Sequence, residues 1–180
     1  MGQDGQSLGL LPLSDAPAGV LAEVLALNAA VEEMTSPLTP LRLAQLIAWA
    51  DYAVAAMGPG GQVSGFLIGY GPGAAYDSVN YRWFADRGQP FAYIDRVVVA
   101  GAARGQGIAR RLYAAFAAHA EAQGLGPLCC EVNAVPPNPG SDAFHRSLGF
   151  QVVGEAGIGP AKRVRYLMQA KAGAEGGFGN

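Results

Sequence analysis

Between the branched apolar run Val97-Val98-Val99-Ala100 and a helical pattern that begins at Ile108 stands the turn Arg104-Gly105-Gln106-Gly107. A strand that passes through a glycine-containing turn directly into a helix makes an anion site. The first N–H groups of the helix lack partners inside it and carry the positive end of its dipole, so they can hold a phosphate without lysine or metal. Gly105 and Gly107 let a ligand come close to the backbone. No Gly-Lys-Ser/Thr follows, which removes a nucleotide-triphosphatase loop, and Arg110 stands where a dinucleotide fingerprint needs its third glycine. Cys129 and Cys130 are adjacent in a predicted strand and point to opposite faces, so a disulfide between them would be strained and a reducing compartment fits. No second Cys or His cluster completes a zinc site, so no metal is expected.

The elements that must position this turn follow from periodicity. Leu8 to Leu13 reads as a short strand, Ala18 to about Glu33 and Thr39 to Trp49 as two helices forming a hairpin, and Asp51 to Met57 and Val63 to Tyr70 as strands around Gly58-Pro59-Gly60-Gly61. Gly71 to Pro90 reads as a long irregular stretch containing Tyr76, Asp77, Tyr81, Trp83, Phe84 and Asp86. Phe91 to Ala100 is the strongest strand, Gln106 to Gln123 a long helix closed by Gly124, and Pro127 to Asn133 a strand. Ser141 to Leu148 is a short helix stopped by Gly149, and Phe150 to Val153 and Val164 to Gln169 are two further strands. Strands and helices alternate only in part, so a mixed sheet covered by helices is expected, an α/β fold of the α+β type.

At 180 residues, 51% hydrophobic and 14% charged, the chain suits one compact domain over residues 1–170 with a flexible tail over 171–180. A formal net charge of -2 and the lack of a Lys/Arg-rich run make nucleic acid and anionic membrane poor partners. Met1 to Ser7 has no basic region ahead of an apolar stretch, and the apolar runs are too short to span a bilayer, so a cytoplasmic location is expected.

Arg104-Gly105-Gln106-Gly107-Ile108-Ala109 resembles the Arg/Gln-x-x-Gly-x-Gly/Ala signature of the GNAT superfamily of acyl-CoA-dependent N-acyltransferases. Downstream, Asn138-Pro139-Gly140-Ser141-Asp142-Ala143-Phe144-His145-Arg146-Ser147-Leu148-Gly149-Phe150 is similar to the family's second signature, in the family's order. The resemblance implies a mostly antiparallel six- to seven-stranded sheet flanked by about four helices, with a splayed central strand pair. It implies acetyl-CoA as donor and CoA as product. The pantetheine arm would lie along Val97, Val98 and Val99, the pyrophosphate on the backbone of Arg104 to Ala109, and Asn138 and Phe144 would contact the cofactor.

The implied reaction is direct attack of a primary amine, of a small molecule or a protein, on the acyl thioester. It needs a base for the ammonium and an acid for the thiolate. Where many relatives carry a tyrosine as that acid, this chain has His145, which either serves as acid, contacts the cofactor or does neither. Asp95 is the first candidate base, sharing a strand face with Tyr93, with a structural pair to Arg96 or Arg82 as the alternative; Glu131 is the second and a water chain the third. His119 reads as a packing residue. The acceptor end falls on Glu32 and Glu33 and on Tyr81, Trp83 and Phe84, where carboxylates and aromatics suit a cationic amine. The same aromatics would equally plug a core or form a dimer seam, which leaves a homodimer open. A non-catalytic acyl-CoA-binding sensor is the alternative reading; it needs the turn but no acid or base.

Overall fold

The computed structural model describes residues 9–33 and 35–170. The expected strand start at Leu8, Met34 and the expected tail over 171–180 lie outside these residues.

Seven strands form one sheet: β1 Gly9–Pro12, β2 Tyr52–Met57, β3 Val63–Tyr70, β4 Ala92–Val99, β5 Leu128–Val135, β6 Phe150–Ile158 and β7 Lys162–Gln169. Their spatial order is β1-β2-β3-β4-β5-β7-β6, antiparallel throughout except for the parallel pair β4–β5. The helices are α1 Ala18–Ala29, α2 Pro40–Trp49, α3 Val79–Ala85, α4 Ile108–Gln123 and α5 Pro139–Ser147. Helix α2 starts where its sequence says it must: Thr39 caps it by accepting the Arg42 N–H, and Pro40 occupies the first turn. Helix α4 ends at Gly124, whose φ of 65° is the left-handed cap that glycine tolerates best.

Two apolar layers cover the sheet. On one face Val24, Leu43, Phe84 and Tyr93 pack together; on the other Ile94, Leu112, Phe116 and Phe150 do. Strand β3 is buried along its whole length, as expected of an unbroken apolar run covered on both faces. Cys129 falls in the first layer and Cys130 in the second, both free thiols, which is the opposed arrangement that strand alternation predicts.

Three expectations need correction. Helix α1 stops at Ala29 rather than near Glu33, because buried Asn28 ties the chain back by donating to the Ser36 carbonyl. The stretch Gly71 to Pro90 is not irregular throughout: α3 lies in it, capped by Ser78, whose hydroxyl accepts the Asn80 and Tyr81 N–H groups. Strand β6 runs on to Ile158 and β7 starts at Lys162, so the last hairpin is longer than its apolar residues indicated. An edge strand is stabilised by its ladder and needs few buried side chains.

The turn that brings β5 beside β4 depends on Gly126. Its φ is +111°, and a Cβ there would stand 2.4 Å from the Pro90 carbonyl carbon. Gly126→Ala is expected to lower stability by about 3 kcal/mol, read as an earlier urea midpoint with unchanged slope.

Candidate active site

Strands β4 and β5 pair only at Ala92↔Leu128 and Tyr93↔Cys129, then part. The cause lies in β4. Against β3 the register steps from Gly69↔Ile94 to Ile68↔Arg96, so Asp95 is an extra residue, a bulge that kinks the strand where the parallel pairing ends. Among the described residues, the backbone of β4 from Ile94 to Val99 has no strand on its β5 side.

The resulting cleft, about 400 Å³, is lined along its length by Val97, Val98 and Val99 and by Glu131 and Asn133 opposite. It shares Val99 and Arg104 as lining with a hollow of about 320 Å³ over Gly105, Gly107, Ile108, Ala109 and Phe144. Gly105 and Gly107 sit at φ 77° and 76°, the left-handed region, and the first bond of α4 runs from the Arg111 N–H to the Gly107 carbonyl. The N–H groups ahead of that bond make the helix start an anion cradle. Gln106 folds its side-chain amide back onto the Ala102 carbonyl.

The two candidate bases have different surroundings. Asp95 accepts from the Tyr76 hydroxyl and from Arg96 Nε at 2.6 Å, and both members of that ion pair are buried, at 7% and 5% side-chain exposure. The bulge is what lets neighbours in sequence meet this way, since it puts two consecutive side chains on one face. Arg96 is further held by Asn28 Oδ1 at 2.9 Å and Ser36 Oγ at 3.1 Å. Glu131 has no cationic partner among its hydrogen bonds. It accepts from the Tyr93 hydroxyl at 2.7 Å and from Asn80 Nδ2 at 2.9 Å. Burial pushes its carboxyl up to about 7, with the nearby Asp95 charge acting in the same direction and the Tyr93 and Asn80 donors opposing. A carboxylate tuned near neutral pH is suited to take a proton from an ammonium. Tyr93, wholly buried, is the donor that holds it.

On the α4–α5 side, His145 is buried and also lines the cleft. Its Nδ1 lies 2.8 Å from the Ser141 carbonyl and therefore carries the hydrogen, which leaves Nε2 to accept from the Tyr113 hydroxyl at 2.9 Å. Burial lowers the His145 pKa and raises that of Tyr113, so at neutral pH both are uncharged. Asn138 caps α5, its Oδ1 accepting the Ser141 N–H at 3.1 Å, with its side chain at the cleft wall.

The expected acceptor residues are not gathered at the cleft. Tyr81 and Phe84 are core residues; Tyr81 donates to the Gly71 carbonyl. Trp83 stacks on Tyr166 with ring centroids 4.1 Å apart and fills the space over Gly154. Glu32 and Glu33 are exposed in the turn after α1, while their neighbours Val31, Thr35 and Ser36 line the cleft. From the segment after Gly71 the cleft takes Tyr76, Ser78 and Asn80 instead. His119 packs beside Tyr52, outside the lining.

Sequence reasoning passed over Asn80 and Tyr113. Ser78 ahead of Val79-Asn80-Tyr81 is a cap signal that places a helix there, and Tyr113 shares the apolar face of Phe116, where a buried hydroxyl must find a partner.

The family model described as "Acetyltransferase (GNAT) family" matches residues 25–150. Among solved structures the chain is similar to the ribosomal-protein-alanine N-acetyltransferase from Brucella melitensis, at 24% identity and a TM-score of 0.62, covering 90% of this chain and 99% of that one. It is also similar to Ard1 from Thermoplasma volcanium, at 15% identity and a TM-score of 0.68, covering 91% and 98%. A chain in the NatC complex bound to Gag peptide and CoA matches at 15% identity and a TM-score of 0.68, covering 90% and 97%. At these identities the likeness is one of fold. Among curated proteins none matches the sequence.

Proposed function

Since the chain belongs to the acetyltransferase (GNAT) family, we propose that it transfers an acetyl group from acetyl-CoA to a primary amine by direct attack. The pyrophosphate rests on the N–H groups around Gly105 to Ala109, and the pantetheine arm follows the free side of β4 at Val97, Val98 and Val99. Phe144 and Asn138 wall the cofactor on the α5 side. One observation carries the reading: a buried carboxylate, Glu131, held only by neutral donors, lines the cleft that Val97, Val98, Val99 and Arg104 also line.

Glu131 takes the first proton from the acceptor ammonium. The free amine then attacks the thioester carbon, the C–S bond breaks, and the second amine proton converts the departing thiolate to thiol. The Tyr113 hydroxyl turns its one hydrogen from His145 Nε2 to the sulfur and donates there as negative charge develops. Asp95 supports the site through Arg96 and Tyr76 and does not itself collect the proton, because its charge is already matched. Tyr113→Phe is expected to lower kcat about tenfold, with KM for acetyl-CoA within about twofold, in a stopped-flow assay of thiol release.

The acceptor is an amine of a small molecule or of a protein. Thiol release from acetyl-CoA with a panel of amines and of peptides with free N-termini tests this: turnover well above hydrolysis with one class supports it. If CoA binds and no amine is acetylated, the chain is an acyl-CoA sensor.

A further inference from the structure

Three elements distant in sequence converge on one side chain. Asn80, in the first turn of α3, donates from Nδ2 to Glu131 Oε1 on β5, and its Oδ1 accepts from the Tyr166 hydroxyl on β7 at 3.1 Å. Tyr166 stands directly across the β5–β7 ladder from Glu131, and its ring is clamped by Trp83 in a stack of 4.1 Å. The Tyr93 hydroxyl holds the other carboxylate oxygen from β4.

We propose that Asn80, pinned by Tyr166, is a positioning residue that fixes the Glu131 carboxylate at the cleft and selects its ionised form. The chemistry of the pair requires it. A side-chain NH2 only donates and an ionised carboxylate only accepts, so the contact favours Glu131 charged. Tyr166 donating to Oδ1 favours the amide orientation that turns Nδ2 to Glu131. Without Asn80, burial acts against one side-chain donor instead of two, and the proton stays on longer as pH rises. The inference rests on the reading of Glu131 as the base.

Among the described residues, none of the other groups around Glu131 is a glutamate, so none contributes to a glutamate carboxyl signal. Tyr93 on β4, Tyr166 on β7, Tyr113 on α4 and Cys130 on β5 are all raised by burial and keep their protons through neutral pH. Asp95 on β4 is matched by Arg96. Arg104 and Lys162 line the cleft as cations, and His145 on α5 titrates below its ordinary value because burial disfavours its charge.

The test reads the carboxyl itself. In the ligand-free protein with 13C-labelled glutamate, the Glu131 resonance, assigned by its loss in Glu131→Gln, is titrated in wild type, Asn80→Ala and Tyr166→Phe. The expected result is an upward shift of about one pH unit in Asn80→Ala and a smaller one in the same direction in Tyr166→Phe. The acid limb of kcat/KM should move with it, with a loss of about tenfold below the limb and little change above it. A resonance that titrates unchanged in both variants overturns the proposal, as does an activity loss equal at every pH. A carboxyl that shifts while the kinetic limb stays put upholds the hold of Asn80 on Glu131 and removes Glu131 as the base.

Discussion

Glu131→Gln is expected to cut kcat by about a thousandfold while leaving acetyl-CoA affinity within about twofold. The amide keeps the size of the side chain and can still accept from Tyr93, so the fold and the cofactor path survive. What disappears is the one cleft carboxylate without a cationic partner among its hydrogen bonds. The pH dependence has a definite sign. The base works only when ionised, so kcat/KM should rise as pH is raised through about 7 and level off above it. In Glu131→Gln that limb is lost. Asp95→Asn gives the contrast that separates the two candidates: it leaves the buried Arg96 guanidinium without its counter-charge and should appear as lost stability, with the acid limb kept but moved to lower pH because the Asp95 charge no longer opposes ionisation of Glu131. Paired pH profiles and urea melts of the two variants check this.

Gly107→Glu is expected to weaken acetyl-CoA binding at least a hundredfold, measured by titration calorimetry. Two effects add. The backbone at Gly107 sits at φ 76°, which costs a side-chain-bearing residue about 1 kcal/mol. A carboxylate then projects from the start of α4, where an incoming pyrophosphate needs positive potential. Nothing lies within 4 Å of a Cβ at this position, so Gly107→Ala isolates the first effect and should weaken binding by less than about tenfold. If Gly107→Glu binds as wild type does, the pyrophosphate does not rest on this turn.

The turn and its flanking elements were legible because their signals are local. The apolar run into Gly105 and Gly107, the period of α4 and its stop at Gly124, and the continuous burial of β3 each follow from spacing within one element. Strand alternation also predicted the opposed thiols of Cys129 and Cys130. The same rule misled at the bulge. Alternation put Asp95 beside Tyr93 and gave no geometric reason for Arg96 to share that face; the pair with Arg96, named as the alternative to a base, is the one that forms, and the bulge is what allows it. Of the two readings of the aromatic segment, an acceptor surface or a core plug, the structure bears out the core for Tyr81 and Phe84. Tyr81, Trp83 and Phe84 look like a binding surface when written in a loop, and a capped helix turns them into the core and onto Tyr166.

By itself the sequence determined the order of elements apart from α3, the glycine turn that opens α4 and the pair of signatures that resemble an acyl-CoA-binding family, all of them encoded in residues close together along the chain. Only the tertiary structure decided which cleft carboxylate is paired with a cation and which is held by neutral donors. It brings Asn80, Tyr93 and Tyr166 to Glu131, gives Asp95 to Arg96, and sets Tyr113 against His145. Apart from Asp95 and Arg96, which a bulge brings together, these contacts join residues tens of positions apart, and no spacing along the chain carries that information.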